Sequence, residues 1–357
     1  MANLYWPKWK QFRSERARRA AFERGLAQAE ADATEVLLVS HGHCLDGAGA
    51  AIVTLRALGR DRVGVATCQP SDMQRVLEFY AGVPGRGRTL MVADLSMNAQ
   101  QFENILAALR RLKEDGWRLE WRDHHHKQWE AIDHDRLHEV LDALVVNDDA
   151  TESGASLQQQ AVARKDRFAK RLAETIRDRD LWWNETPDSE TLEYAMTRMG
   201  EEAFIEHFLD KGAKDLVVDD VVAAAATGER QETERQAKRL LGRARLFRTR
   251  DGEAVGVVYG WLPKNVGLHR LLQRDDVQVA VNVRPNGHMS LRSRKGADVC
   301  QEVASRFDGG GHPNASGGTL GLRGMRYGWY VLRRGRVRRV RQVAMEGVRR
   351  LEARKEG

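Results

Sequence analysis

Cysteine is scarce in this sequence: Cys44, Cys68 and Cys300 are its only three, widely spaced and without a CxxC pair. Such a pattern supports neither a disulfide scaffold nor a zinc ribbon, so any bound metal falls to His and Asp. No apolar run of about 18 residues is present to span a bilayer, which argues against a membrane protein. The opening MANLYWPKWK is basic, but no apolar core with a small-residue cleavage site follows it. It therefore does not read as a secretory signal, and the expected location is cytoplasmic. Internal repeats are absent too. What remains is a 357-residue, 42% hydrophobic chain, long enough for two or three domains.

Charge is unevenly spread. Residues 326–357 hold eleven Arg and Lys against three Glu, a net +8, and the first 24 residues carry a net +5. With +7 overall, the body from 25 to 325 stands at −6. A mildly acidic body with two basic arms suits a polyanionic partner reached electrostatically. The plainer reading, solvated helix faces, applies equally to the N-terminal arm; Arg density beside Trp329 and Tyr330 favours polyanion contact at the C-terminal one.

From Thr34 short apolar runs alternate with helical patterns. EVLLVS (35–40), TLMVAD (89–94), WRLEWR (117–122) and ALVVN (143–147) read as strands. Asn98 is placed to cap a helix in which Phe102, Ile105, Leu106, Leu109 and Leu112 keep helical spacing, with Gly116 past its end. Alternation of this kind predicts an α/β fold, a doubly wound and mainly parallel sheet. A smaller C-terminal α/β domain is expected from EAVGVVYG, VQVAVNVR and HMSLRSR, followed by the helix ADVCQEVASRF. The predicted division is a basic helical arm at 1–33, the main domain at 34–195, a helical connector at 196–245, the second domain at 246–322 and a basic tail at 323–357.

In such sheets ligands bind beyond the carboxyl ends of the strands. There the sequence delivers His41 and Asp46 after the first strand, Asp94 after the next, and Asp123 with His124 and His125 after a third. Asp178 and Asp180 follow on a helix. Mixed carboxylate and imidazole donors suggest Mn²⁺ first and Mg²⁺ second. Two such ions can clamp a phosphate, activate a water and stabilise the leaving oxygen. Taken singly, Asp94 could be a turn former, and Asp178 and Asp180 could pair with Arg177 and Arg179. DGGGHPNASGG (308–318) is a second feature: consecutive glycines let backbone N–H groups converge on an anion, although a flexible loop would use them as well. Arg292 and Arg294 lie on a neighbouring strand.

The ordered set SH…LDGAGAA, ADLSMN, RDHHH, SGASL, IRDRDLWW and GGGHPNASG, spanning residues 35 to 320, resembles the DHH phosphoesterase superfamily with its DHH-associated C-terminal domain. ADLSMN and DLWWNE are most similar to its NrnB or nanoRNase-type oligoribonucleases, relatives of RecJ. The resemblance implies a Mn²⁺-dependent phosphodiesterase with its site in the cleft between two domains. It implies that His41, Asp46, Asp94, His124 and Asp180 ligate metal, with Asp94 bridging; Asp180 is preferred to Asp178 because it directly precedes LWW. Asp123 would orient an imidazole, and His125 would act on the leaving oxygen. Gly309, Gly310, Gly311 and His312 would hold the terminal nucleotide, assisted by Arg292 or Arg294, and His126 has no assigned role. Short RNA or DNA would be the substrate, and a homodimer is allowed. Cyclic dinucleotides, 3′-phosphoadenosine 5′-phosphate and polyphosphate are alternatives on the same fold. A catalytically impaired nucleic-acid-binding protein is an alternative of another class, because the first motif departs from the family. Members usually carry His-x-Asp-x-Asp-Gly, whereas here His41-Gly-His43-Cys44-Leu45-Asp46 inserts a residue and puts Cys44 at the earlier aspartate. Either Cys44 or His43 could replace that carboxylate.

Overall fold

The computed structural model describes residues 15–97, 99–147, 151–181, 183–262, 266–320 and 333–356. It divides into two compact units, Met1–Glu229 and Arg230–Gly357. The first opens with α1 (Glu15–Asp32), β1 (Val36–His41), α2 (Leu45–Leu58), β2 (Val63–Cys68) and α3 (Met73–Tyr80). β3 (Thr89–Ala93), α4 (Phe102–Glu114), β4 (Arg118–Asp123), α5 (His126–Trp129), α6 (His134–His138) and β5 (Ala143–Val146) complete the sheet. Helices α7 (Gly154–Val162), α8 (Arg167–Asp180), α9 (Pro187–Met199), α10 (Glu201–Leu209) and α11 (Asp220–Leu241) follow, α11 running past the division between the units.

The five strands lie in the order β2-β1-β3-β4-β5, every pair parallel, as the alternating pattern predicts. Leu37 and Val39 of β1 pack with Val76, Leu77, Ile105 and Leu109 on one face, and Val36 and Leu38 pack with Ala50 and Ala51 on the other. Both faces are buried, which is why β1 and β3 are continuous apolar runs; β4 alternates instead, its buried Glu120 and Arg122 paired at 2.6 Å. The strand that pattern reading omits is β2. Its VGVATC interrupts the apolar run with Gly64, and a Cβ there would lie 1.8 Å from the Ala29 carbonyl oxygen, so the glycine lets α1 press on the sheet.

The predicted connector divides differently. Phe204 and Phe208, four apart on α10, are fully buried against Phe168 and Leu172 of α8, which makes α10 part of the first unit's core. The predicted cap at Asn98 lies outside the described residues.

The second unit holds β6 (Arg245–Arg248), β7 (Ala254–Tyr259), α12 (Val266–Leu272), β8 (Val277–Val283), β9 (His288–Ser293), α13 (Cys300–Ser305), β10 (Gly310–His312), β11 (Ala315–Thr319) and α14 (Arg333–Glu356). Its mixed sheet runs β10-β11-β9-β8-β7-β6, with β7 and β8 parallel and the other pairs antiparallel. The basic segment that the sequence sets apart as a tail packs into this unit. Val340, Val343, Ala344, Val348 and Leu351 recur at helical spacing along α14 and join Val255, Val257, Val279 and Val281 in one core. Charge alone hid that stripe, because arginines occupy the rest of the helix. Among the described residues, no helix is long and apolar enough to cross a membrane.

Truncating Leu351 to Ala is therefore expected to destabilise the second unit by about 2–5 kcal/mol, read as a lower urea midpoint at unchanged m value.

Candidate metal centre

With strand order 2-1-3-4-5 the succession of strands switches between β1 and β3, and sheets of this kind bind ligands at the carboxyl edge of such a switch point. His41 ends β1, Asp123 ends β4, and Asp94 follows β3 in the left-handed region at φ 56°. Aspartate tolerates that conformation better than most residues, and strain of this kind gathers at functional sites. Asp46 comes from the first turn of α2 and Asp180 from the end of α8.

These residues converge. His124 Nε2 lies 3.3 Å from Asp94 Oδ1, 3.3 Å from Asp180 Oδ2 and 3.6 Å from Asp46 Oδ2. The other Asp94 oxygen, Oδ2, is 3.5 Å from His41 Nδ1 and is buried without a hydrogen-bond partner. Asp94 thus faces two donor groups at once: Asp46, His124 and Asp180 on one side, His41 and Cys44 on the other. The electrostatics are lopsided. Burial, then the charges of Asp94 and Asp180, push the Asp46 carboxyl well above its usual range. Burial raises Asp180 as well. Burial also works against a charge on Asp94, but the hydrogen bond with His124 and the neighbouring His41 and His125 imidazoles hold its carboxyl well below the usual range. His124 is pushed up to about 10; burial opposes its charged form, and Asp94, Asp46 and Asp180 outweigh it. An orphaned carboxylate oxygen amid more anions than one imidazolium can balance fits a divalent cation.

Two backbone features build this arrangement. The N–H groups of Gly154 and Ala155, at the start of α7, donate to Asp46 at 2.5 and 2.9 Å. A Cβ on Gly154 would lie 2.5 Å from Asp94 Cβ, so SGASL supplies amides and clearance together. Gly47 lets α2 begin against β1, since its Cβ would lie 2.1 Å from the His41 carbonyl oxygen.

Asp123 is fully buried and holds the neighbouring ring: His125 Nδ1 donates to its Oδ1 at 2.8 Å, and Trp129 Nε1 donates to its Oδ2 at 2.6 Å. Trp129 has no role in the sequence reading, although it stands six residues beyond Asp123 in the same stretch. His125 remains 33% exposed. Burial opposes its charge, yet Asp123 raises its pKa overall. Asp178 does not join the cluster. It accepts from the backbone N–H of Glu185 and Thr186 at 2.8 and 3.3 Å, tying down the loop after α8. Glu201, absent from every motif, is the largest omission. Its Oε2 accepts the His43 N–H at 3.2 Å and fastens the loop between β1 and α2. A glutamate distant in sequence and outside any spacing pattern gives no signal of this.

The residues assigned to substrate lie in the second unit. Gly309 packs against backbone, where its Cβ would lie 2.1 Å from the Gly317 carbonyl oxygen, whereas Gly310 faces open space. Gly310, Gly311 and His312 form β10, paired with Gly317, Ser316 and Ala315, so the glycine segment is a hairpin rather than a free loop. Arg292 bonds the Leu291 carbonyl at 2.8 Å. Arg294 is committed to the fold: its guanidinium donates to the carbonyls of Val277, Leu272 and Arg274 at 3.0, 2.8 and 2.9 Å.

No family model matches the chain, and no curated protein matches it by sequence. Solved structures do. The DHH domain of a member of the s1p family of ribosomal proteins aligns over 92% of this chain and 89% of its own, at 13% identity and a TM-score of 0.56. The chain has the DHH-domain fold. RecJ from Thermus thermophilus, in complex with Mn²⁺, aligns over 91% of this chain and 55% of its own, at 15% identity and a TM-score of 0.50. An exopolyphosphatase-related protein from Bacteroides fragilis aligns over 93% and 98%, at 16% identity and 0.49.

The cluster predicts a pH signature. With its pKa raised above the ordinary 6.5, folded metal-free His124 binds a proton more tightly than the unfolded chain does. That contribution to stability is complete below pH 6.5 and is lost as pH rises through about 10. The raised Asp46 and Asp180 act in the same sense. The melting temperature of chelator-treated protein should fall over this window, and saturating divalent cation should flatten the decline.

Proposed function

We propose that this protein is a divalent-cation-dependent phosphodiesterase that releases nucleoside monophosphates from short oligonucleotides. The observation carrying this reading is Asp94, whose two oxygens face separate donor groups, one of them left without a hydrogen bond. His41, Asp46, Asp94, His124 and Asp180 would hold cations, with Mn²⁺ the first candidate. When bound, such ions polarise a phosphate and lower the pKa of a coordinated water.

The chain's own groups supply the rest. Asp123 fixes the His125 ring and favours its protonated form, so that His125 is equipped to donate a proton to the leaving oxygen. On the second unit the resemblance assigns Gly309, Gly310, Gly311 and His312 to the substrate phosphate, assisted by Arg292 or Arg294. A groove of about 540 Å³ on that unit adds a polyanion surface; five arginines, Arg306, Arg338, Arg339, Arg341 and Arg349, line it with only two acids, Asp308 and Glu346. That excess of positive charge favours an oligonucleotide over a small neutral ester. The largely complete donor set weighs against an impaired site.

Asp94→Asn should lower hydrolysis of a 5′-labelled RNA dinucleotide by roughly a thousandfold, the worth of several kcal/mol of transition-state stabilisation, while circular dichroism stays unchanged. Undiminished turnover by the folded variant would overturn the reading. A panel with cyclic dinucleotide, 3′-phosphoadenosine 5′-phosphate and polyphosphate separates the substrates. Replacing Arg338 and Arg341 by Ala should reduce the slope of log affinity against log salt by about one for each phosphate that is no longer neutralised.

A further inference from the structure

Resting on the metal-site reading above, we infer that Cys44 is itself a metal ligand, standing where a carboxylate would otherwise be, so that the second ion is held through a thiolate. Its Sγ, a nitrogen of His41 and an oxygen of Asp94 all lie within 4.8 Å of one another. A lone cysteine near a helix start would mean little. Here the buried Asp94 Oδ2 lies on the same side, 3.5 Å from His41 Nδ1, and among the described residues none gives it a hydrogen bond. The sequence leaves two candidates for the missing carboxylate, and the loop geometry separates them. The residue inserted in the first motif is absorbed at His43, which takes φ 59°. Its side chain is 87% exposed, and its Nδ1 lies 3.8 Å from Glu201 Oε2. The backbone N–H of His43 is tied to that same carboxylate at 3.2 Å. His43 is thus turned outward and anchored, and the turn brings Cys44 inward at the start of the 14-residue helix α2.

The consequence is a choice of ion. A donor set of one imidazole, one thiolate and one bridging carboxylate is softer than imidazole with carboxylates alone, and it favours Zn²⁺, Co²⁺ or Fe²⁺ over Mg²⁺. In the metal-free protein burial, then the charges of Asp94 and Asp46, push the Cys44 thiol well above its usual range, so a thiolate there depends on a cation to offset those charges. On binding, the sulfur–metal bond forms as the thiol proton leaves to solvent, so affinity for such ions rises with pH. The other two cysteines are buried elsewhere, Cys68 on β2 and Cys300 at the start of α13, and do not belong to the cluster.

The test is the full-length protein stripped with chelator and titrated with Co²⁺, followed by calorimetry and near-ultraviolet absorption. The wild type is expected to show a sulfur-to-cobalt charge-transfer band. The band should vanish in Cys44→Ser and Cys44→Asp and persist in His43→Ala. Cys44→Asp should also shift the ratio of Co²⁺ to Mg²⁺ affinity toward Mg²⁺ by about tenfold or more. Co²⁺ binding without the band, or a band surviving in Cys44→Ser, would overturn the thiolate assignment and leave the phosphodiesterase reading standing. No Co²⁺ binding at all would overturn both. A band without hydrolysis of any phosphodiester would uphold the ligand and sink the activity.

Discussion

Asp46, Asp94 and Asp180 converge on a single imidazole nitrogen, and their mutual repulsion conditions the rest of the first unit. Like charges about 5 Å apart repel by roughly 3 kcal/mol at an effective dielectric constant of about 20. Such a concentration of anions is tolerable only where counter-charge is built in. The fold supplies some: His124 held protonated, and two amides of α7 aimed at Asp46. These leave one Asp94 oxygen without a hydrogen bond, where a cation would complete the balance.

The same need explains where the chain permits no side chain. A parallel sheet gathers strand ends and helix starts at one edge, and bringing them close enough to share ligands requires backbone to pass against backbone. Gly47 and Gly154 stand at those crossings, and either would collide with its neighbours if it carried a Cβ. The glycines in SH…LDGAG and SGASL therefore belong to the site as fully as the aspartates do, acting through clearance instead of coordination.

Much of this is legible in sequence for a physical reason. Parallel strands buried on both faces favour continuous apolar runs, so VLLVS and TLMVAD declare themselves, and the candidate ligands follow them by position. Asp180 follows from its place before LWW, and its fellow Asp178 is separated only when the loop it tethers is seen. What stays hidden depends on partners distant along the chain. Glu201 meets His43 across 158 residues, and nothing local to either marks the pair. The three carbonyls that Arg294 serves lie on segments nothing local to it marks. β2 and α14 were masked by composition, one by a glycine and a threonine in its strand, the other by arginines that distract from its apolar stripe.

Helix α14 also bears on how the protein is made. Its Leu351 and Val348 fill a core with Val255 on β7, and Glu352 accepts a hydrogen bond from the backbone of Arg250, 102 residues earlier. At about 5–20 residues per second, translation leaves a delay of roughly 5–20 seconds between the two. During that interval the valine face of β7 and β8 has no cover, and a nascent chain in that condition is open to association with its neighbours. The second unit should therefore be the stage of synthesis at which chaperone capture has most to gain.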